Sequence, residues 1–311
     1  MIHENKSTAF SLVFYGGKIA KYFFDKLTKK PKDPTSYGKW AVISGATSGI
    51  GEAFAHDLAS KGLNILLVSR SEDKLKKTQE GIKKTSLKDV DTQKIDYVTV
   101  DLGNSIKADQ ALALKTKLAQ IHENSGGIGL LINCAGVVNL EPTPFHEMDD
   151  GLLDSILSVN NDGTARMTKY VLPYMYQRKS GAVITVGSGS CHHPSAMISA
   201  YSATKAFGYQ LSRSLHYEYK QHGIDFVALT PYLFVSNMYQ DKKNSLLAPY
   251  PQTIIDATYP LLGVEEYGFP YWFHWLMGMV QYVTFENVGE GFLKINERAI
   301  ARAKARKQKK V

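Results

Sequence analysis

Short apolar runs alternate with amphipathic segments along most of the chain, and this alternation constrains the fold more than any other feature. Runs this short suit buried strands and are too short for ordinary helices. The runs are Trp40–Ser44, Leu63–Val68, Asp96–Val100, Ile128–Ile132, Val183–Val186 and Asp225–Leu229. The predicted helices between them are Glu52–Lys61, Glu72–Thr85, Ala111–His122, Asp150–Thr168 and a segment from Ser199 to about His222. We therefore predict an α/β fold with a doubly wound parallel sheet, and a site at the C-terminal ends of the strands.

The length of 311 residues fits one large domain with extensions at both ends. We divide the chain into an N-terminal apolar segment with a linker (1–37), a catalytic domain (38–245), a C-terminal region (246–297) and a basic tail (298–311). We expect the C-terminal region to supply a substrate wall at 249–264 and an aromatic, membrane-proximal stretch. Two cysteines, Cys134 and Cys191, exclude a disulfide framework.

A glycine-rich turn links the first strand to the first helix. Glycines at such a turn let the backbone approach a pyrophosphate, and the helix N-terminus offers free N–H groups. The spacing is G-x-x-x-G-x-G, which differs from the G-x-G-x-x-G of other dinucleotide sites. The residues that we assign to this cradle are Gly45, Thr47, Ser48, Gly49, Ile50 and Gly51.

Arg70 follows the second strand, where a dinucleotide fold selects its cofactor. An acidic residue there would bind the ribose 2′-hydroxyl, whereas arginine suits a 2′-phosphate. Since no acid stands at 69 or 70, we predict NADP; the alternative is that Arg70 only ends the strand.

Tyr201 and Lys205 are four residues apart, so they share one face of the predicted helix. A lysine ammonium beside a phenol favours the phenolate, which makes the tyrosine a usable proton donor or acceptor. Ser188 follows the fifth strand, and its hydroxyl could bind an oxygen that gains negative charge when a carbonyl is reduced.

Several motifs occur in the order of the short-chain dehydrogenase/reductase family, and the chain resembles that family, with its Rossmann-like sheet, over residues 40–237. The motifs that carry the resemblance are the glycine turn, Asp101, Asn133–Gly136, Asn160, Ser188 and the Tyr201–Lys205 pair. The resemblance implies that Tyr201 donates the proton, Lys205 holds the nicotinamide ribose, Ser188 orients the carbonyl and Asn160 holds a water. It also implies cofactor contacts from Asp101, Leu102, Asn133, Phe234 and Ser236. The sequence departs from the family pattern at Ser44, at Cys134 and at Tyr232, where a glycine is common.

Within that family, the chain resembles very-long-chain 3-oxoacyl-CoA reductases and 17-beta-hydroxysteroid dehydrogenases. The short stretches Leu67–Arg70 and Pro231–Ser236 carry this resemblance. It implies NADPH-dependent reduction of a hydrophobic ketone, either a long-chain 3-oxoacyl-CoA of fatty-acid elongation or a keto-steroid. An alternative of another class is a catalytically silent scaffold that binds NADP or lipid. The family commonly forms dimers, so a homodimer stays open.

Three terminal features bear on location. The segments Ala9–Phe24 and Phe269–Phe285 are apolar and aromatic, and both suit contact with a membrane surface better than a full span. Alternatively, Ala9–Phe24 packs on the protein, and Phe269–Phe285 lines an acyl tunnel or a subunit interface. The final Lys307–Val311 resembles an endoplasmic-reticulum retrieval signal. We predict that membrane, with the active site in the cytosol; the alternative is a cytoplasmic protein.

The net charge of +8 comes almost wholly from the tail, because seven basic residues and no acid follow Glu297. A tail of this kind can touch anionic lipid or nucleic acid, but no interleaving of basic and aromatic residues supports nucleic-acid binding, so we expect none. His192 and His193 stand beside Cys191 without further ligands at suitable spacing, so we expect no metal site.

Overall fold

The computed structural model describes residues 30–86, 92–103, 106–124, 126–236, 244–283 and 285–308, together with Phe24, Thr28 and Asp89. The predicted apolar segment Ala9–Phe24 lies outside these residues except for Phe24, and so do the last three residues of the predicted retrieval signal. In the basic tail, the side chains from Arg302 onwards also lie outside the described part of the chain.

Seven parallel strands form one sheet. The strands are β1 (Trp40–Ser44), β2 (Asn64–Ser69), β3 (Ile95–Thr99), β4 (Ile128–Asn133), β5 (Gly181–Val186), β6 (Ile224–Leu229) and β7 (Tyr267–Gly268). Their order in the sheet is β3-β2-β1-β4-β5-β6-β7. The predicted α/β fold is thereby confirmed, and each predicted strand is present with ends shifted by at most two residues. The helices are α1 (Gly49–Ser60), α2 (Glu72–Thr85), α3 (Ala108–Asn124), α4 (Asp150–Leu157), α5 (Thr164–Arg178), α6 (Ser199–Tyr219), α7 (Pro251–Asp256), α8 (Trp272–Val283) and α9 (Phe285–Gln308).

The sheet is buried on both faces, which is why its strands read as continuous apolar runs. Successive side chains of β1 alternate between two cores. Ala41 and Ile43 pack with α1 and α2, whereas Trp40 and Val42 pack with α3 and α5. The helices of the two layers therefore hold the carboxyl ends of β1 and β4 in fixed positions beneath the glycine turn.

The helical segment after residue 150 departs from the prediction in two ways. It contains a π-helical turn at Ser158–Gly163, and it continues through Pro173 to Arg178. Proline removes one hydrogen bond from a helix interior, but Val171 and Met175 on either side of it are fully buried. Their burial offsets the lost bond, so the helix is not ended there.

The region after β6 packs on the body of the fold. Helix α7 and the 3-10 turn Tyr259–Leu261 lie against α1, where Tyr259 and Gln252 both hydrogen-bond the Asp57 carboxylate. Ile254 and Ile255 belong to the core that α1 and α2 cover. The role of 249–264 as a substrate wall stays a prediction.

The aromatic segment Phe269–Phe285 contains α8, whose two faces differ. His274 is fully buried, while Trp272, Leu276 and Val280 are exposed at helical spacing. Among the described residues, no helix combines the length and apolarity needed to cross a bilayer. Helix α9 continues to Gln308, so the backbone of most of the basic tail is helical.

Candidate active site

A cleft of about 290 Å³ lies where the strand order reverses, between the carboxyl ends of β1 and β4. This is the usual ligand position in an open α/β sheet. Every predicted cofactor residue except Gly51 and Asn133 lines it. The lining residues are Gly45, Thr47, Ser48, Gly49, Ile50, Ser69, Arg70, Ser71, Lys74, Val100, Asp101, Leu102, Cys134, Ala135, Gly136, Val137, Val159, Val186, Gly187, Tyr201, Lys205, Phe234 and Ser236.

The glycine turn has the shape of a backbone cradle. Gly45 and Gly49 have φ of +66° and +58°, in the left-handed region that favours glycine. A Cβ on Gly51 would lie 2.4 Å from the Gly45 carbonyl oxygen, so only glycine fits at position 51 without a shift of the turn. A Cβ on Gly49 would meet only the Ser236 Cβ, at 3.9 Å, and would project into the cleft. These residues fit a pyrophosphate held against the N-terminus of α1.

Ser44 ties the cradle to the neighbouring loop. Its hydroxyl accepts hydrogen bonds from the backbone N–H groups of Cys134, at 3.2 Å, and Ala135, at 3.4 Å. Burial raises the pKa of the Cys134 thiol to about 11, so the thiol stays neutral. The serine and the cysteine that depart from the family pattern are therefore packing residues of the cleft floor.

Asn133 does not line the cleft, although it ends β4. Its side chain is buried on the opposite side and donates to the Thr168 hydroxyl at 2.9 Å. Side chains alternate along a strand, so the residue that follows it, rather than Asn133 itself, faces the cradle. This arrangement directs the Asn133 side chain away from the cleft, so its contact with a cofactor stays a prediction.

Arg70, Ser71 and Lys74 line one end of the cleft. Neither Arg70 nor Lys74 is ion-paired with any residue that the structure describes, and both are exposed. The nearby Glu72 carboxylate is instead paired with Lys76 at 2.8 Å, which lowers its pKa. This end of the cleft therefore presents the cationic side chains of Arg70 and Lys74, both exposed.

Tyr201 and Lys205 meet on one face of α6, as predicted from their spacing. The Lys205 ammonium lies 5.5 Å from the centroid of the Tyr201 ring and donates to the Val186 carbonyl at 3.0 Å. The backbone of β5 thus fixes the lysine, and the lysine stands beside the phenol. Within the described chain, the Tyr201 hydroxyl has no hydrogen-bond partner, so it is available to a ligand.

Ser188 and Asn160 stand beside the cleft without lining it. The Ser188 oxygen accepts from the Ser190 N–H at 3.2 Å and from the Ser190 hydroxyl at 3.1 Å. Asn160 lies in the π-helical turn, where its side-chain oxygen accepts from the Val137 N–H and its amide nitrogen donates to the Val137 carbonyl. The same nitrogen donates to the Thr204 hydroxyl at 2.9 Å. Asn160 therefore joins the loop after β4 to the helix that carries Tyr201, and its water-holding role stays a prediction.

Tyr232, which replaces the family's glycine, is the centre of an aromatic wall beside the Ser188 loop. Its ring is parallel to those of Phe269, at 5.9 Å, and His193, at 6.5 Å. Its hydroxyl bonds Gln281 of α8. A Cβ on Gly189 would lie 2.3 Å from the Tyr232 ring, so the ring occupies the space that a side chain there would need. The wall joins α8 to the loop that follows Ser188.

Burial favours the neutral form of three histidines at or beside this wall, His192, His193 and His274. Burial lowers the pKa of His192 to about 4, and it also lowers the pKa values of His193 and His274. His274 accepts a hydrogen bond from the Tyr232 N–H at 3.3 Å. Among the described residues, no group of three or more His, Cys, Asp or Glu is arranged to hold a metal ion.

The comparisons with known proteins agree with this geometry. A family model described as short chain dehydrogenase matches residues 39–246. The chain belongs to the short-chain dehydrogenase family. It is therefore an oxidoreductase of a kind that binds NAD or NADP.

Two curated relatives differ in what their names imply. Inactive hydroxysteroid dehydrogenase-like protein 1 of Homo sapiens is 35% identical over 260 residues, which cover 82% of this chain and 75% of that protein. Very-long-chain 3-oxoacyl-CoA reductase of Homo sapiens is 31% identical over 245 residues, which cover 78% and 74%. A solved short-chain dehydrogenase from Sphingobium yanoikuyae in complex with NADPH is 25% identical, with a TM-score of 0.60, and covers 70% of this chain and 82% of that one.

Sequence reasoning missed Lys74 as a cleft residue. It stands four positions after Arg70, in the first turn of α2, so helical spacing could have placed it near the end of β2. The Tyr232 wall gave no such signal, since its partners are distant in sequence.

Proposed function

We propose that this protein reduces a ketone on a hydrophobic substrate with NADPH, and that Tyr201 donates the proton. The observation that supports this most is the free Tyr201 hydroxyl in the cleft beside the Lys205 ammonium. NADPH, when bound, supplies the hydride to the carbonyl carbon. The Lys205 ammonium, 5.5 Å from the centroid of the Tyr201 ring, places a positive charge beside the group that gives up its proton. Ser188 already accepts two hydrogen bonds, so its hydroxyl can donate a hydrogen bond to the ketone oxygen, while the one transferred proton comes from Tyr201.

The cofactor preference rests on Arg70 and Lys74. Neither side chain is ion-paired with a described residue, and two such cations just after β2 suit a 2′-phosphate, which arginine can bind through two N–H groups. Ser71, Asp101 and Leu102 lie along the same end of the cleft. The NADPH complex of the Sphingobium relative supports the same preference.

Arg70→Glu is expected to raise the KM for NADPH by about 10- to 100-fold, the equivalent of losing one charged hydrogen bond. The KM for NADH should fall or stay unchanged, because a carboxylate can accept from the ribose 2′-hydroxyl. Initial rates with both cofactors measure the change. Lys77→Glu is the matched control, since Lys77 is exposed on α2, the helix that follows Arg70, and does not line the cleft. Equal KM values for NADPH in Arg70→Glu and wild type would contradict the assignment.

For the substrate, we favour a long-chain or very-long-chain 3-oxoacyl-CoA in fatty-acid elongation. The relative named very-long-chain 3-oxoacyl-CoA reductase supports this choice. A keto-steroid is the second candidate, because the relatives named hydroxysteroid dehydrogenase-like are at least as similar. The test is NADPH oxidation with 3-oxostearoyl-CoA beside a 17-keto-steroid. We expect turnover of the acyl-CoA alone. Turnover of the steroid alone would make the keto-steroid the favoured substrate.

A catalytically silent scaffold is the alternative of another class, and the word inactive in the name of a 35% identical relative favours it. Against it, Asn160, Ser188, Tyr201 and Lys205 are all present in this chain. A scaffold would bind NADPH and oxidise none of it with any ketone offered.

We further propose that the protein works at the endoplasmic-reticulum membrane, with the active site facing the cytosol. The exposed Trp272, Leu276 and Val280 of α8 support contact with a membrane surface. A tagged copy is expected to sediment with microsomes and to be released from them less readily than a soluble marker enzyme. Recovery of the whole pool in the cytosolic fraction would refute this. A homodimer remains a proposal that sedimentation of the purified protein would test.

A further inference from the structure

The loop between Ser188 and Tyr201 contains a strained turn. The Ile198 N–H donates to the Ser195 carbonyl at 3.3 Å, which closes a four-residue turn. Met197 occupies its third position with φ of +66°, while Ala196 is not among the positive-φ residues. A positive φ at the third position is typical of type II turns, in which that position favours glycine. A methionine there holds a backbone conformation that an L side chain rarely adopts.

Two asparagines from distant parts of the chain hold this turn. The buried Asn139 donates from its side-chain amide to the Met197 carbonyl at 2.9 Å, and the Thr143 N–H donates to the same oxygen at 2.9 Å. Asn296 of α9 donates to the Ala196 carbonyl at 2.8 Å. Both carbonyls of the strained segment are therefore fixed from outside it.

The turn leads straight into the helix that carries Tyr201. The Ile198 carbonyl accepts from the Ser202 N–H at 2.9 Å, which starts α6. The Ser202 hydroxyl donates to the Ser190 carbonyl at 2.7 Å and so joins this start to the Ser188 loop. The position of the strained turn therefore determines where α6 begins and how Tyr201 stands relative to Ser188.

We propose that Asn139 and Asn296 are positioning residues for the reaction, and that they hold Met197 in its left-handed conformation so that Tyr201 is aimed at the ketone. Strain is kept in a native structure only where the surroundings determine it, and it concentrates at functional sites. Through the hydrogen bond from Asn296 to the Ala196 carbonyl, the C-terminal helix α9 helps to hold the turn that precedes Tyr201. This inference rests on the proposed function, because it assigns Tyr201 the proton transfer.

The experiment compares Asn139→Ala and Asn296→Ala with wild type, using NADPH and 3-oxostearoyl-CoA. We expect kcat to fall by about 10-fold in each, the scale of a small misplacement of a reacting group. The Kd for NADPH, measured by fluorescence, should stay within about two-fold, since neither residue lines the cofactor cleft. Glu297→Ala is the matched control, because Glu297 is exposed beside Asn296 on α9.

Rescue separates positioning from general stability. Met197→Gly adopts the left-handed conformation without strain, so Asn139→Ala in a Met197→Gly background should lower kcat by less than about two-fold relative to Met197→Gly alone. An unchanged kcat in both asparagine variants, or an equal loss in the glycine background, would overturn the proposal. If Asn139→Ala does not fold, Asn296→Ala and its own glycine-background double variant decide the question. The proposed function fails separately, if Tyr201→Phe keeps the wild-type rate.

Discussion

Tyr201→Phe is expected to lower the kcat for ketone reduction by about 10²- to 10⁴-fold, the usual contribution of a positioned general acid. The substitution removes one oxygen atom from a side chain whose hydroxyl has no partner in the described chain. The fold should therefore be unaffected, and the free energy of unfolding should change by less than about 0.5 kcal/mol. Stopped-flow measurement of NADPH oxidation separates the loss of chemistry from any loss of cofactor binding.

Tyr217→Phe is the matched control for this prediction. Tyr217 is carried by the same helix and is exposed, and its hydroxyl donates to the Glu266 carboxylate at 3.5 Å. It should keep the wild-type rate. A Tyr201→Phe variant with the rate of this control would remove the basis of the proposed mechanism. Loss of NADPH binding in Tyr201→Phe would instead show that the phenol serves the cofactor site.

The parts of the fold that sequence could predict are those with a strong repeating pattern. The helix Glu72–Thr85 was predicted with its observed bounds, because Leu75 and Ile82 are apolar contacts in an otherwise charged segment. The strands were found because burial on both faces makes them continuously apolar. The Tyr201–Lys205 pair was found because a four-residue spacing fixes two side chains on one helical face.

The parts that sequence missed depend on contacts between distant residues. Strand β7 is only Tyr267–Gly268, too short for any periodicity to show. The π-helical turn at Ser158–Gly163 has no residue pattern of its own, yet it carries Asn160 to the loop after β4. The side-chain direction of Asn133 depends on the register of β4.

The sequence marked Tyr232 only as a departure from the family pattern, with no indication of the aromatic wall around it. Replacing the family's glycine with tyrosine requires room for the ring, which Gly189 provides, and partners for its polar atoms, which His274 and Gln281 provide. Those partners stand more than forty residues away in sequence. The same substitution therefore explains why α8 packs beside the catalytic loop, an association that neither segment reveals by itself.

Gly51→Ala is expected to weaken NADPH binding by about 10- to 100-fold, the scale of losing one hydrogen bond to a phosphate. Alanine would ordinarily stabilise a helix by up to about 1 kcal/mol over glycine. Here its Cβ would lie 2.4 Å from the Gly45 carbonyl oxygen and 3.3 Å from the Cys134 sulfur. Since the nearer atom belongs to the backbone, the turn itself must open, at a cost of about 1–3 kcal/mol in stability. Isothermal titration with NADPH and urea unfolding measure the two effects.

Gly291→Ala in α9 makes the same chemical change where a Cβ would meet nothing within 4 Å. It should bind NADPH like wild type and unfold at the same or a slightly higher urea concentration. The contrast between the two variants isolates the close approach of Gly51 to Gly45 from the general effect of replacing a helical glycine. If Gly51→Ala binds NADPH as tightly as Gly291→Ala, the cradle is not what holds the pyrophosphate, and the cofactor must be bound chiefly from the Arg70 end and by Lys205.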